Sequence, residues 1–192
     1  MAADLTGKRI LILATNGFEQ SELEVPRDRL KAAGAEVHVV SPEQGEIKGW
    51  DKKDWGRPVK VDKALSDAKV ADYDAIVLPG GQINPDLLRV NRDALNLIKA
   101  FYDAGKTVAA VCHAPWLLIE VGIAKNPDGT GKKMTSYHSI KTDVINAGAK
   151  WEDAAVVTDN GVVTSRNPGD LEAFVKKIIE EVREGKHQRK AA

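Results

Sequence analysis

The sequence holds one cysteine in 192 residues, no excess of either charge, and no long apolar run. A lone thiol excludes an intramolecular disulfide and an all-cysteine zinc site, and it suits a reducing compartment. Lysine plus arginine number 28, and so do aspartate plus glutamate. Bulk charge therefore gives no footprint for nucleic acid. No segment approaches the ~20 apolar residues that span a bilayer. The polar start, MAADLTGK, lacks the basic end and apolar stretch of a secretory leader. A soluble, cytoplasmic protein is expected. No G-x-G-x-x-G follows the first apolar run, which argues against a dinucleotide. No histidine or cysteine pair has metal-ligand spacing. Neither a cofactor nor a metal is expected.

What is present is a globular pattern. Apolar residues make up 43% of the chain, which excludes a mainly disordered one. A chain of this length buries ~70% of its unfolded surface and is expected to fold as a single domain over 1–192. Arg9–Ala14, Glu36–Ser41, Asp74–Leu78 and Thr107–Val111 are runs of β-formers, the mark of strands covered on both faces. Helical spacing over 21–33, 94–102, 115–121, 142–147 and 171–182 alternates with them. Pro26 suits only the first turn of its helix. Residues 42–58 are a polar excursion that reads as a hairpin ending in Val59–Val61, with Trp50 and Trp55 covering a sheet edge or an interface. Asp159-Asn160 joins two short strands, and the basic tail from Arg183 is expected to fray. Strand–helix alternation predicts an α/β fold with a mostly parallel sheet and helices on both faces. Ligands bind such sheets at the carboxyl ends of the strands.

Three strand ends carry chemistry. Cys112 directly follows a buried strand, precedes a helix, and has Ala110 and Ala114 two residues to either side. Small neighbours permit the sharp turn that exposes a nucleophile, and a helix N-terminus favours thiolate. Cys112 is accordingly expected to be mostly ionised at neutral pH. His113 is a candidate base. Pro79-Gly80-Gly81 ends another strand, where glycines let backbone N–H groups approach a developing oxyanion. Glu19, after the first strand, is a carboxyl expected to hydrogen-bond the Cys112 sulfur.

These segments together resemble the PfpI family, a branch of the class I glutamine amidotransferase-like superfamily. The likeness rests on GFEQSE at 17–22, LPGG at 78–81, NPDLLR at 84–89, VCHAP at 111–115, TSYHSIKTDVINAGA at 135–149 and TSRNPGDL at 164–171. The resemblance implies a flavodoxin-like three-layer sandwich and a homo-oligomer, dimeric or larger. It implies Cys112 as nucleophile, His113 beside it, and Glu19 as the glutamate that touches and donates to the sulfur. It implies Gly81, with the His113 N–H, as the oxyanion site, and Asp86 as an acid that orients the histidine of the neighbouring subunit. Ala114 stands where protease members carry glycine and is expected to narrow the site. Residues 165–168 lack the His-x-Glu pair of glutaminase domains.

The activity so implied is a cysteine-dependent hydrolase of the stress-response type, a deglycase or glyoxalase. It would act on small aldehydes or on adducts of glyoxal and methylglyoxal, nucleic acid entering only as a glycated substrate. The rival readings are a redox-responsive stress protein or holdase that uses Cys112 as its sensor, and an intracellular cysteine peptidase.

Overall fold

The structure is a computed structural model that describes residues 5–189. The first part of the polar start and the last residues of the basic tail lie outside that range. In chain order the elements are β1 (Arg9–Leu13), α1 (Gln20–Ala32), β2 (Glu36–Ser41), β3 (Glu46–Asp51), β4 (Asp54–Lys60), β5 (Lys63–Ala64), β6 (Ala75–Leu78), α2 (Ile83–Leu88), α3 (Arg92–Asp103) and β7 (Thr107–Val111). They continue with α4 (Pro115–Glu120), β8 (Lys133–Met134), α5 (Lys141–Asn146), β9 (Lys150–Trp151), β10 (Val156–Asp159), β11 (Val162–Ser165) and α6 (Leu171–Glu184).

Seven strands form the central sheet in the order β10-β11-β7-β6-β1-β2-β5. All neighbours run parallel except the hairpin β10–β11. The strands read as unbroken apolar runs because both faces are covered. In β1, Leu11 and Leu13 pack toward α3 and α4 with Phe101 and Leu117. Ile10 and Ile12 pack on the other side toward α1 and α6, with Leu30 and Phe174. That is the expected sandwich.

Three local expectations change. Pro26 lies inside α1 rather than in its first turn, leaving the Glu22 carbonyl without its helical donor. The β10–β11 turn is Asn160-Gly161, both with positive φ (49° and 75°), one residue beyond the predicted pair. A type I′ turn needs that conformation at both central residues. The tail does not fray at Arg183: α6 runs to Glu184, and His187 and Arg189 dock beyond it. The His187 N–H donates to the Gly105 carbonyl at 2.8 Å. The Arg189 guanidinium donates to the carbonyls of Tyr102, Lys106 and Asn160. A planar fork of five donors can serve several carbonyls at once.

The 42–60 excursion is the hairpin β3–β4. It folds over the carboxyl end of β1: the Trp50 N–H donates to the Phe18 carbonyl at 2.7 Å and the Gly17 N–H to the Lys48 carbonyl at 2.8 Å.

Candidate active site

Cys112 is the first residue after β7 and has φ +63°, a conformation that costs a non-glycine residue of order 1 kcal/mol or more. The surroundings hold it there. Its N–H donates to the Ser165 carbonyl at 3.0 Å, and its carbonyl accepts from the Tyr137 N–H at 2.8 Å. The elbow turns the side chain toward the α1 side of the sheet, where Cys112 is 6% exposed. Ala114, two residues on, packs into the opposite core and is not among the cavity-lining residues. The expected narrowing by its methyl does not occur.

The sulfur has four polar neighbours. His113 Nδ1 lies 3.1 Å from Sγ. The N–H groups of Gly81 and His113 face it, and so does the carboxyl of Glu22. Gly80 and Gly81 are required by space. A Cβ on Gly80 would stand 2.6 Å from Cys112 Cβ and 2.6 Å from Glu22 Oε2. One on Gly81, at φ +76°, would stand 2.6 Å from the Gly17 carbonyl oxygen.

The glutamate at the sulfur is therefore Glu22 and not Glu19. Glu19 precedes α1 with extended backbone and lines the cavity mouth, where its Oε1 accepts weakly from Ser21 at 3.4 Å. Glu22 lies in the first turn of α1, fully buried. Its Oε2 accepts from the Gly80 N–H at 2.9 Å. Its Oε1 is buried with no hydrogen-bond partner, and the carboxyl as a whole faces the sulfur. GFEQSE holds both glutamates three apart, and both fall on the helix stripe of Leu23, Pro26 and Leu30. Helical phase admits either; the point where the helix begins decides.

Burial governs the charges. It pushes the Glu22 carboxyl up to about 8, helped by the charge of Glu19. Burial, then the Glu22 charge, pushes the Cys112 thiol up, while the Gly81 and His113 N–H groups oppose this. The expected ready thiolate is thus corrected for the single chain: α4 is only six residues long, and desolvation outweighs its end. A protonated Glu22 is the donor to sulfur that was expected of Glu19. Glu19 is itself raised by its own partial burial. Burial, with the neighbouring His138, pulls His113 down to about 4.

His113 is clamped. Its ring stacks on Tyr137 with centroids 4.8 Å apart, and Nε2 lies 3.1 Å from Ser139 Oγ. Within the chain the partner of that nitrogen is Ser139. Asp86 is exposed on α2 and is not among the cavity-lining residues. Ser139 sits inside TSYHSIKTDVINAGA, but nothing in its local pattern marks it as facing His113.

The sulfur opens into a cavity of about 440 Å³ walled by Glu19, Trp50, Lys52, Ile83 and Tyr137. Trp50 and Lys52 come from the β3–β4 hairpin, so the excursion is a wall of the site. Trp50 meets Trp55 edge-on at 5.5 Å. Only distant pairing of the hairpin with 16–19 reveals that role.

A cysteine on a strained elbow, at the carboxyl edge of a doubly covered parallel sheet and backed by a histidine and a buried glutamate, defines a cysteine-dependent α/β enzyme. The model of the DJ-1/PfpI family matches residues 8–181, and the chain belongs to that family. It is 42% identical over 175 residues to deglycase TK1284 of Thermococcus kodakarensis, covering 91% of this chain and 99% of the relative. It is 41% identical over 175 residues to general stress protein 18 of Bacillus subtilis, covering 90% and 96%. The crystal structure of Drosophila melanogaster DJ-1beta superposes with a TM-score of 0.79 at 29% identity, covering 92% of this chain and 94% of that one.

Proposed function

We propose that this protein is a cytoplasmic, cysteine-dependent deglycase that releases free amines from methylglyoxal- or glyoxal-derived adducts. The observation that carries the reading is the Cys112 Sγ–His113 Nδ1 distance of 3.1 Å, on an elbow whose sulfur also faces the Gly81 and His113 N–H groups. The cavity of about 440 Å³ is open enough for a modified side chain. Among the described residues no helix is long and apolar enough to cross a membrane. The lone cysteine is the nucleophile, which suits a reducing compartment.

Each proton has a place. His113 Nδ1 takes the thiol proton as Sγ bonds to the substrate carbon, and the neutral imidazole is the acceptor form. Ser139 Oγ accepts Nε2–H and steadies the ring as it charges. The electron pair of the attacked C=O moves to oxygen, where Gly81 and His113 N–H groups hold it. Glu22, protonated, donates to the sulfur and keeps a second negative charge out of the site. With methylglyoxal the first product is a hemithioacetal. Moving one carbon-bound proton to the neighbouring carbon gives a thioester of a 2-hydroxy acid. Water cleaves it to the acid and regenerates the thiol, a net addition of one water. In a carbinolamine adduct the C–N bond breaks as Sγ bonds to the same carbon; the imidazolium gives its proton to the departing R–NH2, and the same hemithioacetal remains.

We further propose that a second copy lends Asp86 to His113. The support is a surface: Asp86 shares α2 and its flank with Ile83, Leu87 and Val90, exposed at 37%, 49% and 82%. A carboxylate against the imidazole would raise the basicity that burial has lowered.

The test is turnover. Methylglyoxal-modified Nα-acetyllysine is incubated with limiting enzyme, and free amine and lactate are counted by NMR. Many turnovers, lost in Cys112→Ser, are expected. One covalent event per chain would overturn the reading, and so would release that persists in Cys112→Ser. Protection of a client from aggregation that survives Cys112→Ala without turnover would favour the holdase.

A further inference from the structure

At the end of the sheet opposite Cys112, a second cluster has no part in this chemistry. Glu181 and Glu184 occupy the last turn of α6, and His187 follows on the docked tail. One ligand atom from each lies within 4.8 Å of the others. His187 is fixed through the Gly105 carbonyl, just before β7. Cys112 lies beyond the five residues of that strand, ~16 Å away along it.

The contact inside this cluster is unfinished. Glu181 is 7% exposed, and its Oε2 stands 3.4 Å from His187 Nε2. A hydrogen bond of this kind spans ~2.7–3.2 Å. His187 Nε2 is itself buried with no hydrogen-bond partner. The ring nitrogen thus faces a largely buried carboxylate without a hydrogen bond to it, which is costly for the imidazole. The imidazole packs directly on Gly161, where a Cβ would come within 2.2 Å of Cδ2. Two cations act on Glu181 from nearby: Arg189 is engaged by three carbonyls, and Lys177 is paired with Glu180.

We infer that Glu181, Glu184 and His187 bind a divalent cation of the zinc type, with water completing its shell. One imidazole and two carboxylates suit that borderline ion better than the all-oxygen preference of calcium or magnesium. Donors at ~2.0–2.2 Å from a tetrahedral ion stand ~3.4 Å apart, so the cluster must close somewhat. Glu184, which is exposed, supplies the movement. The ion would pin the tail to the end of α6 and act as a structural clasp. The Glu-x-x-Glu-x-x-His spacing at 181–187 contains one histidine and no cysteine, so no histidine or cysteine pair marks it.

The test uses the full chain with Cys112→Ser, so that the active-site thiol cannot compete. Titration calorimetry with Zn²⁺ is compared between this protein and versions that add Glu184→Gln or His187→Ala. One zinc per chain is expected, with binding at least ~10-fold weaker in each added variant, since even outer-shell losses cost ~10–100-fold. Glu184→His, which restores a ligand, should recover affinity. Zinc should raise the melting temperature of the parent and not of Glu184→Gln. Absence of zinc binding in the Cys112→Ser chain would overturn the inference, as would equal affinity in Glu184→Gln. If His187→Ala fails to fold, the exposed Glu184 variant decides.

Discussion

The carboxyl of Glu22 meets the Cys112 sulfur from the first turn of α1, held there by the Gly80 N–H at 2.9 Å. Two acids share one buried site, so they titrate as a pair, and the charge of one opposes the charge of the other.

Cysteine reactivity should carry this signature. With Glu22 neutral below about 8, alkylation of Cys112 should rise with pH. Above that value the ionised carboxylate should bend the profile over. Glu22→Gln removes the charge and keeps a donor. Its profile should match the wild type at pH 6–7 and lie about tenfold higher at pH 9, one unit of suppression being one factor of ten. Iodoacetamide rates between pH 5 and 10 measure it. Superposed profiles would mean that Glu22 does not sense the sulfur.

The same group makes stability depend on pH. The Glu22 carboxyl moves from its ordinary 4.5 to about 8 on folding. Between those values the native chain keeps a proton that the unfolded chain has lost, so stability falls as pH rises, by up to ~1.4 kcal/mol per unit. In Glu22→Gln that slope is absent. Urea unfolding at pH 5, 6.5 and 8 should show the variant gaining on the wild type at each step. A constant difference would refute the assignment.

Gly80→Ala should damage both fold and site. The new methyl would collide with Cys112 Cβ at 2.6 Å, Glu22 Oε2 at 2.6 Å and the Val111 carbonyl at 2.7 Å. Backbone has little room to yield, and overpacking costs ~1–3 kcal/mol. Denaturant midpoints should fall accordingly, and the Cys112 alkylation rate should change even where the protein remains folded.

Ser139→Ala leaves His113 Nε2 without its partner at 3.1 Å. Loss of ~1–1.5 kcal/mol from one hydrogen bond corresponds to about tenfold in kcat, with KM little changed because the hydroxyl need not touch substrate. Ser139→Thr keeps the oxygen and should rescue. An unaltered kcat in Ser139→Ala would show that the Tyr137 stack alone orients the ring.

If Asp86 serves a neighbouring subunit, inactive Asp86→Asn and Cys112→Ser chains should regain activity when mixed. One interface in each hybrid then joins an intact acid to an intact Cys-His pair. Native mass spectrometry verifies the exchange. Hybrids that form and stay inactive, or monomers that are fully active, would sink the shared site.

The chain alone determined the covered strands, the order of layers and the elbow. Each of these depends on residues adjacent in sequence: apolar runs at 10–13 and 75–78, and Cys112 between a strand and Pro115. What remained hidden was set by contacts across long stretches of chain. Trp50 became a wall of the site because β3 pairs with the loop at 16–19. Ser139 faces His113 because Tyr137, 25 residues beyond the elbow, is bonded to the Cys112 carbonyl. The choice between Glu19 and Glu22 waited on where α1 begins, and the protonation of the site waited on burial, which only a closed tertiary structure imposes. Local propensity can say which residue types stand at a strand end, but desolvation and the meeting of distant side chains exist only once the layers pack.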